Sequence, residues 1–257
     1  MSSPVDGPTT ATPGGETARR ALRLLRAVAL AQEPRRLAEL QAETGLNKSV
    51  TYRLLRILQE EGYLKHTAEG YSTGGELIAL ALTALPRRNS YLAARPVMQA
   101  LTYRIGETVT LHRRADDRAV IVLVAENQDR PIRYAARVGE TTELARGCTG
   151  RAMLAQLPAH VVRQLLESTA DTAETTLDDV ERVRSSGWSY TEEANHTGVA
   201  GMACALPRRD PRAEVMTLNI SGPVGRMNAQ VAARLAPVLI DAAKKLSALG
   251  VNFDPAD

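Results

Sequence analysis

The sequence predicts an α+β protein, in which a small, mainly α-helical N-terminal unit precedes a larger α/β unit with a mainly antiparallel sheet. Two observations lead to this fold class. After Ala18, apolar residues recur at helical spacing in successive short segments that end in two β-prone runs. The rest of the 257-residue chain holds more strand-like runs than a strict βαβ alternation would use, which favours α+β over a parallel sheet.

Three helices and a hairpin are predicted in the N-terminal unit. Gly45 and Gly62 end the second and third helices, and Asn47 is a plausible N-cap for the third. Short β-prone runs flank the polar turn at 67–70, which is typical of a hairpin. This order of elements indicates a winged helix-turn-helix. The predicted helices are residues 18 to about 33, 37–44 and about 48–60.

The third predicted helix has one face for a core and another for a partner. The inward stripe, at positions i, i+3, i+4 and i+7, consists of Thr51, Leu54, Leu55 and Leu58. Arginine can bind the guanine edge, and serine and tyrosine can reach base edges or phosphate, so the outward face suits the major groove of DNA. The candidate DNA-binding residues are Asn47, Lys48, Ser49, Val50, Tyr52 and Arg53, with Lys65 and His66 on the hairpin.

The charge of this segment agrees with a polyanionic partner. Residues 17–73 hold ten Lys or Arg and six Asp or Glu, which is most of the basic surplus of the chain. A solvated helix surface would give the same count, and a winged helix that docks on protein instead of DNA is the alternative. Specific, salt-sensitive DNA binding separates these possibilities.

The remaining chain divides into a tail, a linker and a second unit. We expect a disordered tail over 1–16, the winged helix-turn-helix over 17–74, an apolar linker helix within 75–90, and the larger unit over 91–257. In that unit the expected strands are 108–111, 119–125, 132–136, 202–206 and 215–220. The expected helices are 92–104, 150–157, 159–168, 177–186 and 229–249.

Composition excludes several classes of protein. The longest apolar run, 77–85, is too short to span a bilayer, and the N-terminus does not resemble a signal peptide, so we expect a cytoplasmic protein. Cys148 and Cys204 do not make a disulfide framework. The four histidines are too scattered for a metal motif, and we expect neither a metal nor a cofactor.

Several motifs resemble the isocitrate-lyase-regulator (IclR) family of transcription regulators. They include Thr-Gly-Leu-Asn-Lys-Ser at 44–49 and Glu-Gly-Tyr-Leu at 61–64, and they extend over nearly the whole chain after the tail. The resemblance implies a GAF-like effector-binding domain, dimers made through the N-terminal domains, and often tetramers. The other motifs are residues 21–25, 37–40, 52–55, 106–109, 137–139, 150–155 and 221–223.

The chain departs from the family pattern at a few positions. The family usually has a hydroxyl residue and then an apolar one where this chain has Val50 and Thr51, so we expect Val50 on the groove side and an operator of non-typical sequence. Cysteine is common in the family at Gly201, and an acidic residue at Thr191. Both changes are expected to enlarge or neutralise the effector pocket.

The resemblance also places the effector pocket, on one face of the C-terminal sheet. A helix N-terminus and neutral hydroxyl groups there favour a small acid or a polar aromatic metabolite. Arg146, just before the turn, could pair with a carboxylate, or it is a solvent-facing loop charge. The implied wall residues are Cys148, Thr149, Thr191, Gly201, Asn219 and Ser221.

An enzyme in the C-terminal unit is the rival hypothesis. It would need Cys148 as nucleophile with His112 or His196 as base, and the spacing of these residues does not support such a pair. A small buried thiol is the commoner state of cysteine, so we expect no catalytic residues.

Overall fold

A computed structural model describes residues 15–31, 33–84, 90–169, 173–208, 210–211 and 213–252. The chain divides into two compact units, residues 1–85 and 86–257. This division falls inside the linker expected at 75–90. Most of the expected tail, residues 1–14, and residues 85–89 of the linker lie outside the described residues.

The first unit has the elements that the sequence predicts. They are α1 (Gly15–Ala29), α2 (Leu37–Thr44), α3 (Lys48–Glu60), β1 (Leu64–Thr67), β2 (Gly70–Thr73) and α4 (Gly75–Ala84). The strands β1 and β2 pair antiparallel as the expected hairpin. The bounds of α2 and α3 agree with the prediction, and Gly45 ends α2 in the left-handed conformation, with φ of 68°.

Helix α1 begins earlier than expected, so Gly15 and Glu16 belong to a helix and not to a tail. The Glu16 carboxylate accepts a hydrogen bond from the Arg20 guanidinium at 2.9 Å and contacts Arg23 at 3.3 Å. An acidic residue in the first turn with a basic residue four positions later stabilises a helix start. This pairing explains the extension.

The second unit is built around one six-stranded sheet. Its elements are α5 (Ser90–Ile105), β3 (Thr108–Ala115), β4 (Arg118–Ala125), β5 (Thr141–Glu143), α6 (Gly147–Leu154), α7 (Ala159–Ser168), α8 (Leu177–Ser186), β6 (Ser189–Glu192), β7 (Val199–Ala205), β8 (Met216–Pro223) and α9 (Ala229–Ala248). The strand order is β5-β4-β3-β8-β7-β6, and every pair is antiparallel, as expected for this fold class.

Helices cover both faces of the sheet. Helices α5 and α9 pack on one face around buried residues such as Leu218 and Leu239. On the other face, α6, α7 and α8 form a second apolar cluster that reaches the sheet at Ala119 and Ala203. Because α6 packs over β6, β7 and β8, its N-terminal residues contact polar side chains of the sheet.

Three features of this unit differ from the prediction. The expected strand 132–136 is not a strand, because side chains bind its carbonyl groups: Thr108 donates to the Tyr134 oxygen at 2.6 Å, and Arg226 to the Ile132 oxygen at 2.9 Å. The strands β5 and β6 were not expected, since neither short segment alternates clearly between apolar and polar residues. Helix α6 spans 147–154 instead of 150–157.

Candidate functional site

The N-terminus of α3 is held in place by its own cap. The Asn47 side chain accepts hydrogen bonds from the Val50 amide and the Ser49 hydroxyl, both at 3.0 Å. The Thr51 hydroxyl donates to the Asn47 carbonyl at 2.9 Å. This confirms Asn47 as the N-cap and fixes the first turn of the helix. The predicted inward stripe is confirmed as well, since all four members are buried: Thr51, Leu54, Leu55 and Leu58.

The outward face of α3 is exposed and basic, with one exception. Lys48, Ser49, Tyr52 and Arg53 are exposed, and the exposed fraction of Tyr52 is 53%. Val50 is half-buried and packs against the apolar core of the unit, so only part of its side chain is available to the groove. Val50 lies one turn before the buried Leu54, so it borders the inward face.

The hairpin adds a second exposed surface beside α3. Lys65 and His66 are exposed on β1, as expected for residues that could contact flanking DNA. The His66 ring lies over the Tyr71 ring, with 4.3 Å between centroids. Burial raises the pKa of Tyr71. Together with Tyr52 and Arg56, His66 and Tyr71 line a shallow groove between α3 and the hairpin.

In the second unit, the six residues that the family resemblance implies for the effector site line one pocket, which we call the sheet pocket. Cross-strand register brings several of them together: Gly201 pairs with both Thr191 and Ser221, and Asn219 pairs with Thr110. The pocket has a volume of about 50 Å³, enough for a few water molecules. The further lining residues are Thr110, His112, Ile121, Tyr134, Thr142, Ala194, Asn195, His196 and Val199.

Two hydrogen bonds tie the start of α6 to the sheet. The Cys148 amide donates to the Thr191 hydroxyl at 3.1 Å, and the Asn219 side-chain amide donates to the Thr149 hydroxyl. A helix N-terminus attracts anions through its free amides. Here the protein itself already binds the amide of Cys148, which weakens the expected preference for an anion.

The expected enlargement at Gly201 is wrong. A Cβ built on Gly201 would lie 3.0 Å from the Cys148 sulfur and 3.3 Å from the Ser221 hydroxyl oxygen. The space left by the missing side chain is therefore filled by these two neighbours. The glycine permits a close approach of α6 to β7 and does not open room for a ring.

His112 is the most informative lining residue that the site prediction did not include. Its side chain is 6% exposed, and burial lowers its pKa to about 3, so the imidazole is neutral. Its Nε2 atom lies 2.9 Å from the Thr110 hydroxyl. Thr108, Thr110 and His112 occupy every second position of β3. Since residues two apart in a strand share a face, this spacing could have placed His112 beside Thr110.

Two loops meet at the mouth of the sheet pocket. The Tyr134 hydroxyl donates to Glu140 at 3.3 Å and lies 3.1 Å from Nε2 of His196. The centroids of the Tyr134 and His196 rings are 5.3 Å apart. Burial is the main reason that the pKa of Tyr134 is raised, so its hydroxyl stays protonated. These contacts join the loop before β5 to the loop before β7.

The geometry gives little support for nucleophilic catalysis. Cys148, His112 and His196 all line the sheet pocket, but burial raises the pKa of the Cys148 thiol. An activated cysteine needs a lowered pKa and an adjacent base. Arg146 pairs with Glu174 at 2.7 Å and is absent from the pocket lining.

Comparisons with known proteins cover both units. A family model described as "IclR helix-turn-helix domain" matches residues 17–68, and one described as "Bacterial transcriptional regulator IclR C-terminal" matches residues 82–248. In the part of the chain that the structure describes, no helix has the length and apolar character needed to cross a membrane.

Curated relatives and solved structures agree with these matches. The chain is 28% identical to the acetate operon repressor of Salmonella typhimurium, over 89% of this chain and 87% of the relative. It is 27% identical to the transcriptional repressor IclR of Escherichia coli, with the same shares. A crystal structure of an IclR transcriptional regulator from Alicyclobacillus acidocaldarius has a TM-score of 0.70 at 23% identity, covering 93% of this chain and 99% of that chain.

Proposed function

Because the chain belongs to the IclR family of bacterial transcriptional regulators, with a DNA-binding N-terminal and an effector-binding C-terminal domain, we propose which residues perform each task. Helix α3 enters the major groove, and the sheet pocket binds the effector. The exposed basic face beside a capped helix N-terminus is the observation that carries the DNA assignment. The family is regulatory, so the chain is a regulator and not an enzyme.

On the DNA side, we assign direct base contacts to Arg53 and Tyr52, which project from the exposed face of α3. Lys48 and the backbone amides of the first turn bind DNA phosphates, and Lys65 on the hairpin binds the flanking DNA backbone. Ser49 donates a hydrogen bond to the Asn47 side chain. This bond holds the start of α3 in a position to face a phosphate. Val50 contributes at most an edge of its side chain, since it is half-buried.

On the effector side, the proposed contacts are the six residues expected from the resemblance: Cys148, Thr149, Thr191, Gly201, Asn219 and Ser221. Their convergence on one pocket supports this assignment. A ligand alters DNA binding only if its affinity differs between two states of the protein. Helix α6 is a suitable element for such a change, because Thr191 and Asn219 bind its first turn from the pocket.

We further propose that the chain acts as a repressor in the cytoplasm and as a homodimer or homotetramer. Relatives named as repressors include the AllR protein of Escherichia coli, at 24% identity over 85% of this chain and 84% of the relative. One recognition helix reads few base pairs, so two copies on a twofold axis would read paired half-sites. Exposed apolar side chains on α4, at Ile78 and Leu80, suit such an assembly.

The experiment combines DNA selection with a pocket variant. The full chain is used to select sequences from a random duplex library, and the selected operator drives a reporter in a bacterial host. Wild type and Ser221→Leu should both bind the operator, but only wild type should change reporter output when metabolites are supplied. A chain without sequence-selective binding would contradict the DNA assignment. An unchanged response in Ser221→Leu would place the effector elsewhere.

A further inference from the structure

The described lining of the sheet pocket is polar, but it contains no lysine, arginine, aspartate or glutamate. Its residues include threonine, asparagine, serine, tyrosine and histidine. His112 is buried and neutral. Burying a charge is costly where no opposite charge lies beside it in the lining. The lining therefore disfavours an ionised ligand.

Two buried atoms of lining residues lack a hydrogen-bond partner within the described part of the chain. They are Nδ1 of His112 and Oδ1 of Asn219, whose residues are 6% and 2% exposed. Buried polar atoms are nearly always hydrogen-bonded, so two such atoms on the lining of one pocket mark where the polar end of a ligand would bind. Thr142 adds a third such atom, its hydroxyl oxygen.

The chemistry of these atoms defines the ligand. An amide oxygen can only accept, so Oδ1 of Asn219 needs an N–H or O–H donor. Nδ1 of His112 either accepts or donates, according to whether Nε2 donates to Thr110 or accepts from it. An ionised carboxylate offers only acceptors and leaves Asn219 unsatisfied.

We propose that the effector is a small uncharged molecule whose polar end, a primary amide or a hydroxyl, donates to Asn219 and also binds His112. This inference rests on the proposed effector role of the sheet pocket. It differs from the acid that the sequence suggested, because the Cys148 amide is already bound to Thr191. His112 and Asn219 are then the residues that decide which metabolites are accepted.

The test compares matched ligands on the full chain. Acetamide, propionamide and butyramide are titrated against acetate, propionate and butyrate by ligand-observed NMR, since each amide has nearly the shape of its carboxylate. We expect at least one amide to bind at least tenfold more tightly than the matching carboxylate. The proposal is overturned if no amide binds, or if the carboxylates bind equally well or better.

Variants locate the binding on the proposed atoms. Asn219→Leu should weaken amide binding roughly tenfold or more, and His112→Leu should weaken it measurably. Ser189→Ala is the matched control, because Ser189 on β6 is buried and also has an unpartnered hydroxyl among the described residues, yet does not line the pocket. Amide affinity in Ser189→Ala should equal that of wild type. Unchanged affinity in Asn219→Leu would overturn the proposal.

Loss of amide binding in a variant could also result from misfolding, so each variant is tested for folding. Thermal unfolding identifies any variant that does not fold, and Asn219→Val, which suits a strand, replaces Asn219→Leu in that case. The comparison of amides with carboxylates needs no variant at all. Selection of DNA by the ligand-free chain is measured separately, so a failure of DNA binding contradicts the proposed function, whereas preference for carboxylates contradicts only the ligand class.

Discussion

The carboxylate of Glu107 and the guanidinium of Arg226 form two parallel hydrogen bonds, of 2.6 and 3.0 Å, although Glu107 is almost fully buried. Arg226 also donates to the Ile132 carbonyl, so one side chain joins the start of β3, the turn after β8 and the loop that leads to Tyr134. Gly222 permits this contact, since a Cβ there would lie 2.4 Å from the Glu107 carboxylate. The pair therefore fixes the sheet and one wall of the pocket mouth.

Removing Arg226 should destabilise the second unit. Arg226→Ala leaves a buried carboxylate without its cation, and we expect a loss of about 2–3 kcal/mol in the free energy of unfolding, less than for a fully enclosed pair because Arg226 is 34% exposed. Urea unfolding followed by circular dichroism measures it. Lys245→Ala is the control, since its pair with Asp241 is well exposed and should contribute little. Equal effects of the two variants would contradict the structural role.

Arg53 and Lys48 should have different roles in DNA binding. Arg53→Ala should cost about 1–3 kcal/mol on the selected operator and relax preference at one base position. Lys48→Ala should weaken all sequences alike and lower the salt slope by roughly one unit. Fluorescence anisotropy at fixed salt, repeated over a salt series, distinguishes them. Equal operator affinity for wild type and Arg53→Ala would exclude base readout by Arg53.

The N-cap of α3 should affect both stability and DNA binding. Asn47→Ala removes the acceptor of the Val50 amide and should cost about 1 kcal/mol, together with a clear loss of operator affinity. Asn228→Ala is a matched control, because Asn228 caps α9 with the same 3.0 Å bond to Val231. It should cost a similar amount in unfolding but leave DNA affinity unchanged. A loss of DNA binding in both variants would mean that general destabilisation is the cause.

His112 should make the protein less stable in mild acid. Its pKa is about 3 in the folded chain and near 6.5 when unfolded, so between these values only the unfolded chain binds the proton. The contribution of His112 to the free energy of unfolding is complete above about pH 6.5. It falls as the pH is lowered towards 3, by up to about 1.4 kcal/mol per pH unit. His112→Leu should lose this dependence. Denaturant unfolding at pH 7 and pH 5 measures it, and parallel pH curves for the two proteins would contradict it.

The apolar surface of α4 should contribute to self-association. Ile78→Glu places a charge where the exposed fraction of the isoleucine is 52%, and it should shift the chain towards monomer if α4 contacts a second copy. Tyr103→Ser on α5 is the control, since Tyr103 is 81% exposed and outside the N-terminal unit. Sedimentation velocity over micromolar concentrations reports the mass. A monomeric wild type would exclude this role for α4.

The sequence predicted the helical parts of the fold better than the short strands. Apolar residues that recur at helical spacing, such as Leu54, Leu55 and Leu58, are buried as the spacing predicts. The strand β5 depends on pairing with β4, a long-range contact that three residues cannot encode by themselves. The run at 132–136 has the composition of a strand, but side chains of Thr108 and Arg226 bind its carbonyls.

The sites show the same limit. Local chemistry was sufficient for Asn47, because an N-cap bonds within its own turn. The contents of the pocket depend on register: Thr191, Gly201 and Ser221 become neighbours only when β6, β7 and β8 pair as they do. His112 was considered only as a possible base, and its neutrality follows from burial that no local pattern reveals. The sequence did not show that the space beside Gly201 is filled, because the side chain that fills it belongs to Cys148, 53 positions earlier in the chain.

The two free thiols differ in what surrounds them. Cys204 lies in the apolar cluster beneath α9, whereas Cys148, which is also buried, lines the sheet pocket together with Tyr134 and His196. We expect a thiol reagent to reach Cys204 only when the unit unfolds, and to reach Cys148 also when the sheet pocket opens. The ratio of the two alkylation rates would then report how often the sheet pocket opens in the native protein, without any added label.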